Sequence, residues 1–490
     1  MKTTPEPQPD FADIQGIVGT GFANLPQCRY LLLHIRDAAA ARGWLSEVLD
    51  SGLVKSVADL DKRHEGALEG ARRQQHPEAA MLSFSHDGLV RLGVQRDDDQ
   101  PFPSAFCGGM ACVERERLFG DEPHRCWDWG DTALPGDTRF QAHMLVAHYW
   151  RDEPALPTLF DPQALRGRFA EVRVITTCPS YFGDTPAGRS MVEPFGFRDG
   201  IGQPVLRGFP RSRAEHTARQ AAGELFEDRL IAVGEFVLGH LNEYGEQAYC
   251  PGAADWTAAN GPGGFAHNGS YLVARHIRQF VDTFRAFERG SSIPDVAAKM
   301  MGRQLDGRPL VKPTLPTNGT PDPDAFRYLV ADANGFQCPR GAHARRANPR
   351  DAMARDEASG IASSKLHRLL RRGRVYANDC VARKAGTKCD GDSRHRDGQC
   401  GKGLLFLALN ADLDRQFEFV QSQWLGGSRF GDLSDERDPI LGTAPDRAFT
   451  VQGLPVGKRI GPLPRFTKVL GGGYFFVPGL KALRFISRRG

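Results

Sequence analysis

Short apolar segments alternate with amphipathic helical segments in both halves of this 490-residue chain, and this repeated order restricts the fold more than any other feature. Residues 28–35 (CRYLLLHI) predict a strand, and residues 37–49 predict a helix with an aspartate at its cap position. Residues 403–411 (GLLFLALNA) predict a second buried strand. The next helix has apolar residues on one side, namely Leu413, Phe417, Val420 and Trp424. The pattern indicates two α+β halves.

The same pattern predicts further elements in each half. The first half has predicted strands at 80–85, 144–150 and 172–177 and a helix at 162–169. In the second half, a strand at 270–276 precedes a helix with one apolar face, and residues 471–483 predict a last strand and turn. That predicted helix face consists of Ile277, Phe280, Val281 and Phe284. The polar, Arg- and Ala-rich stretch 206–224 separates the halves, so we expect domains at 1–215 and 216–490.

Composition and charge exclude several classes of protein. Hydrophobic residues make up 40% of the chain, and 63 Lys and Arg nearly balance 59 Asp and Glu, for a formal net charge of +4. This balance is typical of a folded globular protein and does not indicate a nucleic-acid or membrane partner. Residues 1–16 lack the apolar core of a signal peptide, so the sequence predicts a cytoplasmic protein.

Three cysteines fall in a polar stretch with one histidine: Cys380, Cys389, Cys400 and His395. The gaps of 8 and 10 residues between the cysteines do not fit the short Cys-x(2–4)-Cys spacing of structural zinc sites. We therefore interpret residues 380–400 as a surface loop rather than a metal site.

The most informative motif is EPFGFRDGIGQP at residues 193–204, which places Arg198 and Asp199 in an apolar, glycine-rich stretch. An isolated Asp-Gly pair is typical of a turn. Two other segments change this interpretation, because His343 lies among arginines in CPRGAHARRANPRD (338–351) and Arg371 follows in HRLLRRGRVYA (367–377). A histidine alone is more often a hydrogen-bonded bystander, and an arginine run is more often solvated.

These three segments together resemble the dye-decolorizing peroxidases, whose Gly-x-x-Asp-Gly signature corresponds to residues 196–200 here. The resemblance extends from about residue 20 to the C-terminus and includes 234–245, 268–280, 403–425 and 471–483. It implies two ferredoxin-like halves of the dimeric α+β barrel type, with haem b held mainly by the C-terminal half. Gly202 and Ala377 depart from the usual pattern of the family.

The resemblance also implies roles for individual residues. His343 would ligate the haem iron, and Asp199 and Arg371 would be catalytic residues facing hydrogen peroxide. Asp438 resembles the acidic residue that supports the iron-bound histidine, and Leu404 and Phe406 would form an apolar wall. Candidates for the haem propionates follow His343 closely: Arg345, Arg346 and Arg350. The alternative interpretation of these three residues is a set of solvated arginines.

Elementary chemistry agrees with these roles. Splitting the O–O bond of peroxide requires a base that moves a proton between its oxygens, and an aspartate, with a reference pKa of about 3.9, stays ionised in mild acid. An arginine stabilises the developing negative charge without competing for the proton. We therefore expect a peroxidase that works in an acidic range and oxidises organic one-electron donors such as dyes and phenols.

Two rival interpretations remain. A haem-binding or haem-carrying protein with little turnover would need His343 but not Asp199 and Arg371, and a haem-free relative of the same fold would have lost His343 or filled the cavity. The expected partners are hydrogen peroxide and small organic donors. The oligomeric state stays open, a homo-oligomer included.

Overall fold

The fold is built around one large sheet to which both halves of the chain contribute strands. The structure is a computed structural model, and it describes residues 9–61, 77–133, 139–151, 157–185, 188–210, 229–256, 263–315, 322–378, 401–443 and 446–489. The expected loop at 380–400 and most of the expected boundary at 206–224 lie outside the described residues. The division at 215/216 therefore stays a prediction.

The strands fall into three groups along the chain. Those before the Asp199 motif are β1 (Gln27–His34), β2 (Glu78–Phe84), β3 (Trp129–Gly130), β4 (Phe140–Gln141), β5 (Met144–Trp150), β6 (Glu171–Thr176), β7 (Phe182–Thr185) and β8 (Gly188–Met191). The middle strands are β9 (Val205–Leu206), β10 (Leu230–Ile231) and β11 (Ser270–Gln279). The last are β12 (Leu370–Arg371), β13 (Arg374–Asn378), β14 (Gly401–Asn410), β15 (Phe449–Val451), β16 (Lys458–Ile460) and β17 (Thr467–Val477).

The helices are mostly short. In the first half they span Gly16–Gly19, Ala38–Asp50, Val57–Asp61, His86–Arg91, Ser104–Gly108, Val113–Phe119, Pro157–Phe160 and Pro162–Arg166. In the second half they span Val281–Gly290, Val296–Met301, Tyr328–Asp332, His343–Ala347, Glu357–Lys365 and Leu480–Ser487, with π-helical turns at Asp414–Glu418 and Val420–Leu425. No helix in these described ranges is long and apolar enough to cross a membrane.

The main sheet has the strand order β12-β14-β11-β17-β2-β5-β1-β6, and β13 also pairs with β14. Neighbours along this path are antiparallel, and the two halves join where Phe476 of β17 pairs with Phe84 of β2. The described pairing does not close the sheet into a barrel. Its ends nevertheless approach each other, because Thr177 bridges to Tyr376 and the Cys178 N–H donates to the Val375 carbonyl at 3.1 Å.

Alternating side chains give the sheet two apolar faces, as strand geometry requires. On β1, Leu31 and Leu33 pack beneath the helix Ala38–Asp50, whereas Tyr30 and Leu32 belong to the other core. The predicted helix cap is confirmed, because Asp37 Oδ1 accepts the Ala39 and Ala40 N–H groups at 2.8 and 3.1 Å.

Two sequence expectations need correction. The strand predicted at 270–276 continues to Gln279, so Ile277 lies in β11 and Phe280 caps the helix that begins at Val281. Pairing with both β14 and β17 extends the strand, and this tertiary contact outweighs the helical spacing of the apolar residues. The turn predicted after residue 477 leads into a helix, Leu480–Ser487, whose first N–H groups Asp13 caps from a distant segment.

Candidate active site

A cavity of about 1150 Å³ collects most of the residues that the sequence singled out. Asp199, Arg371, His343, Leu404 and Phe406 all line it. They come from the motif loop, β12, the helix His343–Ala347 and β14. The cavity exceeds the roughly 300–1,000 Å³ of ordinary small-molecule pockets, so a large flat macrocycle fits its size.

Asp199 and Arg371 form a direct ion pair in this cavity. Arg371 Nη1 donates to Asp199 Oδ1 at 3.0 Å, and Nη2 donates to the Ile201 carbonyl at 2.7 Å. The Arg371 backbone N–H donates to Gln203 Oε1 at 3.1 Å. Because Ile201 and Gln203 follow Asp199 closely, one arginine fixes both the carboxylate and the loop that carries it.

Both glycines of the motif have a left-handed backbone, with φ of 97° at Gly196 and 81° at Gly200. The two glycines lie in different surroundings. Gly200 lines the cavity, whereas a Cβ at Gly196 would lie 2.6 Å from Nη2 of Arg285, which donates to the Phe195 carbonyl. Gly196 is thus required for the tight turn.

His343 is held by a buried carboxylate. Asp438 is 1% exposed, and its Oδ2 lies 2.9 Å from His343 Nδ1, while its Oδ1 accepts the Ile440 and Leu441 N–H groups at 2.9 and 2.8 Å. Burial lowers the pKa of His343, but the Asp438 charge and hydrogen bond raise it by more, so it lies above the ordinary value. With Nδ1 engaged, Nε2 is the ring nitrogen suited to a metal.

The arginines after His343 separate into two groups. Arg350 lines the cavity, where Nη2 donates to Asp324 Oδ1 at 2.6 Å. Arg345 and Arg346 do not line it. Arg345 donates to Asp332 Oδ2 and the Cys338 carbonyl, and Arg346 donates to the carbonyls of Gly341, Trp424, Gly427 and Glu436.

Arg345 and Arg346 are therefore placed to hold protein segments together. The structure does not bring them to the expected cofactor position, because neither arginine lines the cavity. Their sequence context is an arginine pair just after His343. It does not distinguish arginines that hold protein segments together from arginines that bind a cofactor.

Sequence reasoning missed other charged residues at the cavity. Arg303 donates to Asp324 Oδ1 at 3.1 Å and lies with Arg350 on the same carboxylate. Burial raises the pKa of Asp324. The charges of Arg350, Arg303 and Arg229 lower this pKa by more than burial raises it, so the net pKa is below its usual range. Residue 303 is 40 positions before His343, and nothing in its local sequence marks it.

The residues of the cavity fit a haem. A histidine whose Nδ1 is bound by a carboxylate suits iron ligation, and the lining supplies apolar area and arginines for carboxylates. The fit rests on donor chemistry, cavity size and the cationic lining together.

The curated proteins that this chain resembles are dye peroxidases. The chain matches no protein-family model. It is 28% identical over 487 residues to a multifunctional dye peroxidase from Amycolatopsis sp., covering 93% of this chain and 91% of that protein. It is also 28% identical to a dye-decolorizing peroxidase from Mycetinis scorodonius, covering 97% of this chain and 87% of that one.

Solved structures show the same architecture. A DyP-type peroxidase from Anabaena sp. superposes with a TM-score of 0.71 at 21% identity, covering 99% of this chain and 98% of that one. A decolorizing peroxidase from Auricularia auricula-judae gives a TM-score of 0.68 at 21% identity, covering 98% and 100%. This likeness confirms the expected ferredoxin-like α+β fold class.

Proposed function

We propose, from the premise that this chain belongs to the dye-decolorizing peroxidase family, that it binds haem b and uses hydrogen peroxide to oxidise organic one-electron donors such as dyes and phenols. His343 ligates the iron, and Asp199 and Arg371 are the catalytic residues. One observation carries the proposal: the Asp199–Arg371 pair and the Asp438-bound His343 line or adjoin a single cavity.

The haem, when bound, supplies the iron at which peroxide accepts two electrons and through which organic donors return them one at a time. Asp199 accepts a proton from peroxide at its carboxylate and delivers it to the departing oxygen. Arg371 orients that carboxylate through the 3.0 Å contact and stabilises negative charge on the departing oxygen. Leu404 and Phe406 give this region an apolar wall that limits water.

The proposed role of His343 as iron ligand is supported by its carboxylate partner, Asp438. Asp438 fixes the ring orientation and tautomer of His343, so that Nε2 presents a lone pair. Arg350 lies at the cavity and is our candidate for a haem propionate, since it is the one of the three predicted arginines on the lining. A cytoplasmic location and a homo-oligomer stay predictions.

The test is stopped-flow mixing of the haem-loaded protein with hydrogen peroxide near pH 5. We expect the haem absorption to change within a fraction of a second and to return when a phenolic donor is added. Asp199→Asn should keep haem and slow the first change, whereas His343→Ala should lose haem. A bound haem that ignores peroxide would favour the haem-carrier interpretation, and no bound haem would leave a likeness of fold alone.

A further inference from the structure

A second carboxylate lies inside the turn that presents Asp199. Glu193 is 6% exposed, and both of its oxygens accept backbone N–H groups of the motif. Oε2 accepts the Phe195 N–H at 2.9 Å, and Oε1 accepts the Phe197 N–H at 2.9 Å. Gln279 of β11 donates from Nε2 to Oε2 at 2.6 Å. The turn is therefore tied, through Glu193, to a central strand of the sheet.

Backbone hydrogen bonds close the same turn and end it at Asp199. The Glu193 N–H donates to the Phe197 carbonyl at 2.9 Å, and the Gly196 N–H donates to the Glu193 carbonyl at 2.7 Å. The Asp199 N–H donates to the Met191 carbonyl at 2.8 Å. Any change in the Glu193–Phe197 pairing is thus transmitted over two residues to the Asp199 backbone.

The outer side of the turn is fixed by other groups. Phe195 stacks on Phe284 with ring centroids 4.3 Å apart, and Arg285 donates to the Phe195 carbonyl. These contacts hold the position of the turn as a whole. Glu193 is placed to set its internal shape, since it binds the two N–H groups between which the chain reverses.

Glu193 and Asp199 also interact electrostatically. Burial raises the pKa of Glu193, the N–H groups of Phe195, Phe197 and Gln279 lower it, and the Asp199 charge raises it again. The net pKa lies above the ordinary value. The two carboxylates are close enough to interact. Within the part of the chain that the structure describes, the hydrogen bonds of the Glu193 side chain go to Phe195, Phe197 and Gln279 rather than to Arg371 or His343.

We propose that Glu193 is the positioning residue for Asp199 and acts on the peroxide step alone. This inference rests on the proposed function, because it requires Asp199 to be the base. The geometry that carries it is the pair of N–H bonds to Phe195 and Phe197, closed by Gln279. Glu193 also lines the cavity, but Phe195, Phe197 and Gln279 bind its two oxygens, so we assign it a role through Asp199 rather than on the reacting oxygens.

The experiment is a double-mutant cycle in the haem-loaded protein with Glu193→Gln and Asp199→Asn. A glutamine directs an amide NH₂ toward one backbone N–H, so one hydrogen bond becomes a repulsion. We expect Glu193→Gln to lower kcat/KM for hydrogen peroxide by about 10-fold or more, since small displacements of catalytic groups have effects of this order. The kcat/KM for the phenolic donor should stay within about 2-fold. In the Asp199→Asn background, Glu193→Gln should have no further effect.

Two further measurements separate positioning from simple destabilisation. Hydrogen exchange of the 191–200 segment should accelerate in haem-free Glu193→Gln. The affinity of the ferric protein for cyanide should fall, because cyanide enters as HCN and needs a nearby proton acceptor.

The matched control is Asp131→Asn. Asp131 is 1% exposed, accepts the Met110, Ala111 and Tyr474 N–H groups, and lies outside the cavity. It should lower stability and leave the ratio of the two kcat/KM values unchanged.

The proposal is overturned if Glu193→Gln lowers both kcat/KM values in parallel and so leaves their ratio unchanged, the pattern expected of the control, or if its effect adds fully to that of Asp199→Asn. An Asp199→Asn protein with normal peroxide kinetics would instead refute the proposed function.

If Glu193→Gln does not fold, Gln279→Leu removes only the side-chain donor to Oε2. It should then lower kcat/KM for peroxide selectively, and a parallel loss of both constants would overturn the proposal.

Discussion

Asp199 and Arg371 lie 172 residues apart in the chain, yet Nη1 of Arg371 donates to Oδ1 of Asp199 at 3.0 Å. Their side chains are 24% and 34% exposed, so the pair faces the cavity rather than the packed core. The pair joins a loop of the first half to an edge strand of the second. The carboxylate and guanidinium therefore depend on the packing of both halves.

Replacing Arg371 by lysine should impair the peroxide step more than its unchanged charge suggests. Arg371 binds Asp199 with one nitrogen and the Ile201 carbonyl with another, and a lysine cannot reproduce this fork. We expect the rate constant with peroxide to fall by about 10- to 100-fold, less than the roughly 10²–10³-fold effect of removing a charge-stabilising donor outright, because lysine keeps the charge. Stopped-flow absorbance of the haem-saturated variant measures it. An unchanged rate constant would show that the fork is dispensable.

Asp438→Asn should weaken the hold on haem. The Ile440 and Leu441 N–H groups fix Oδ1, so the new amide NH₂ would face the Nδ1–H of His343 and the ring would lose its orientation. Substitutions of this kind typically reduce metal affinity by about 10- to 100-fold. Transfer of haem to an excess of apomyoglobin measures the loss.

Glu436→Gln is the matched control for Asp438→Asn. Glu436 is 3% exposed and bonds Thr450 without touching His343. Equal haem loss from the two variants would contradict the assigned role of Asp438.

Gly196→Ala should destabilise the protein more than Gly200→Ala. Both positions have positive φ, which costs an alanine roughly 1–2 kcal/mol. At Gly196 the added Cβ also displaces Arg285 from the Phe195 carbonyl, a further loss of about 1 kcal/mol, whereas no atom lies within 4 Å of the Cβ position at Gly200. Urea unfolding of the haem-free variants gives the two free energies. The reverse order would contradict the described turn.

Stability should fall in acid because of His276. It is buried against Tyr376, and neither ring nitrogen has a hydrogen-bond partner among the described residues. Burial lowers the pKa of His276 to about 3, whereas an unfolded histidine titrates near 6.5. Between these values the unfolded chain binds a proton that the folded chain does not. The free energy of unfolding therefore decreases as pH falls, by at most about 1.4 kcal/mol per pH unit from this residue.

His276→Leu removes this titrating group. The decline in the free energy of unfolding between about pH 6.5 and pH 4 should therefore become flatter. Urea unfolding of the two haem-free proteins at several pH values measures the difference in slope. Parallel declines would show that another group controls acid stability.

Much of the site could be predicted from sequence because its residues lie in compact motifs. Asp199, His343 and Arg371 each stand in a short stretch with recognisable neighbours, and all three reach one cavity. Strands such as β1 and β5 were predictable because continuous apolar runs are long and bounded by polar turns.

Other features depend on distant contacts that local patterns do not carry. The predicted helix face includes Val281 and Phe284 as expected, but the helix begins at Val281 rather than at Ile277, because two partner strands extend β11. Arg346 was expected at the cofactor, but the carbonyls it binds include those of Trp424 and Glu436, which lie far along the chain. Glu193 stood within the quoted motif, and only the structure identifies the N–H groups that it binds.

Arg374 extends from the second half to the carbonyls of Gly21, Phe22, Leu25 and Pro26 in the first, and its guanidinium lies 4.6 Å from the Tyr149 ring. A chimera that exchanges halves between two relatives would set this arginine against a foreign N-terminal segment. Such hybrids would need the 21–26 segment and residue 374 inherited from one parent. For directed recombination, crossover points that separate these two positions are the ones to avoid.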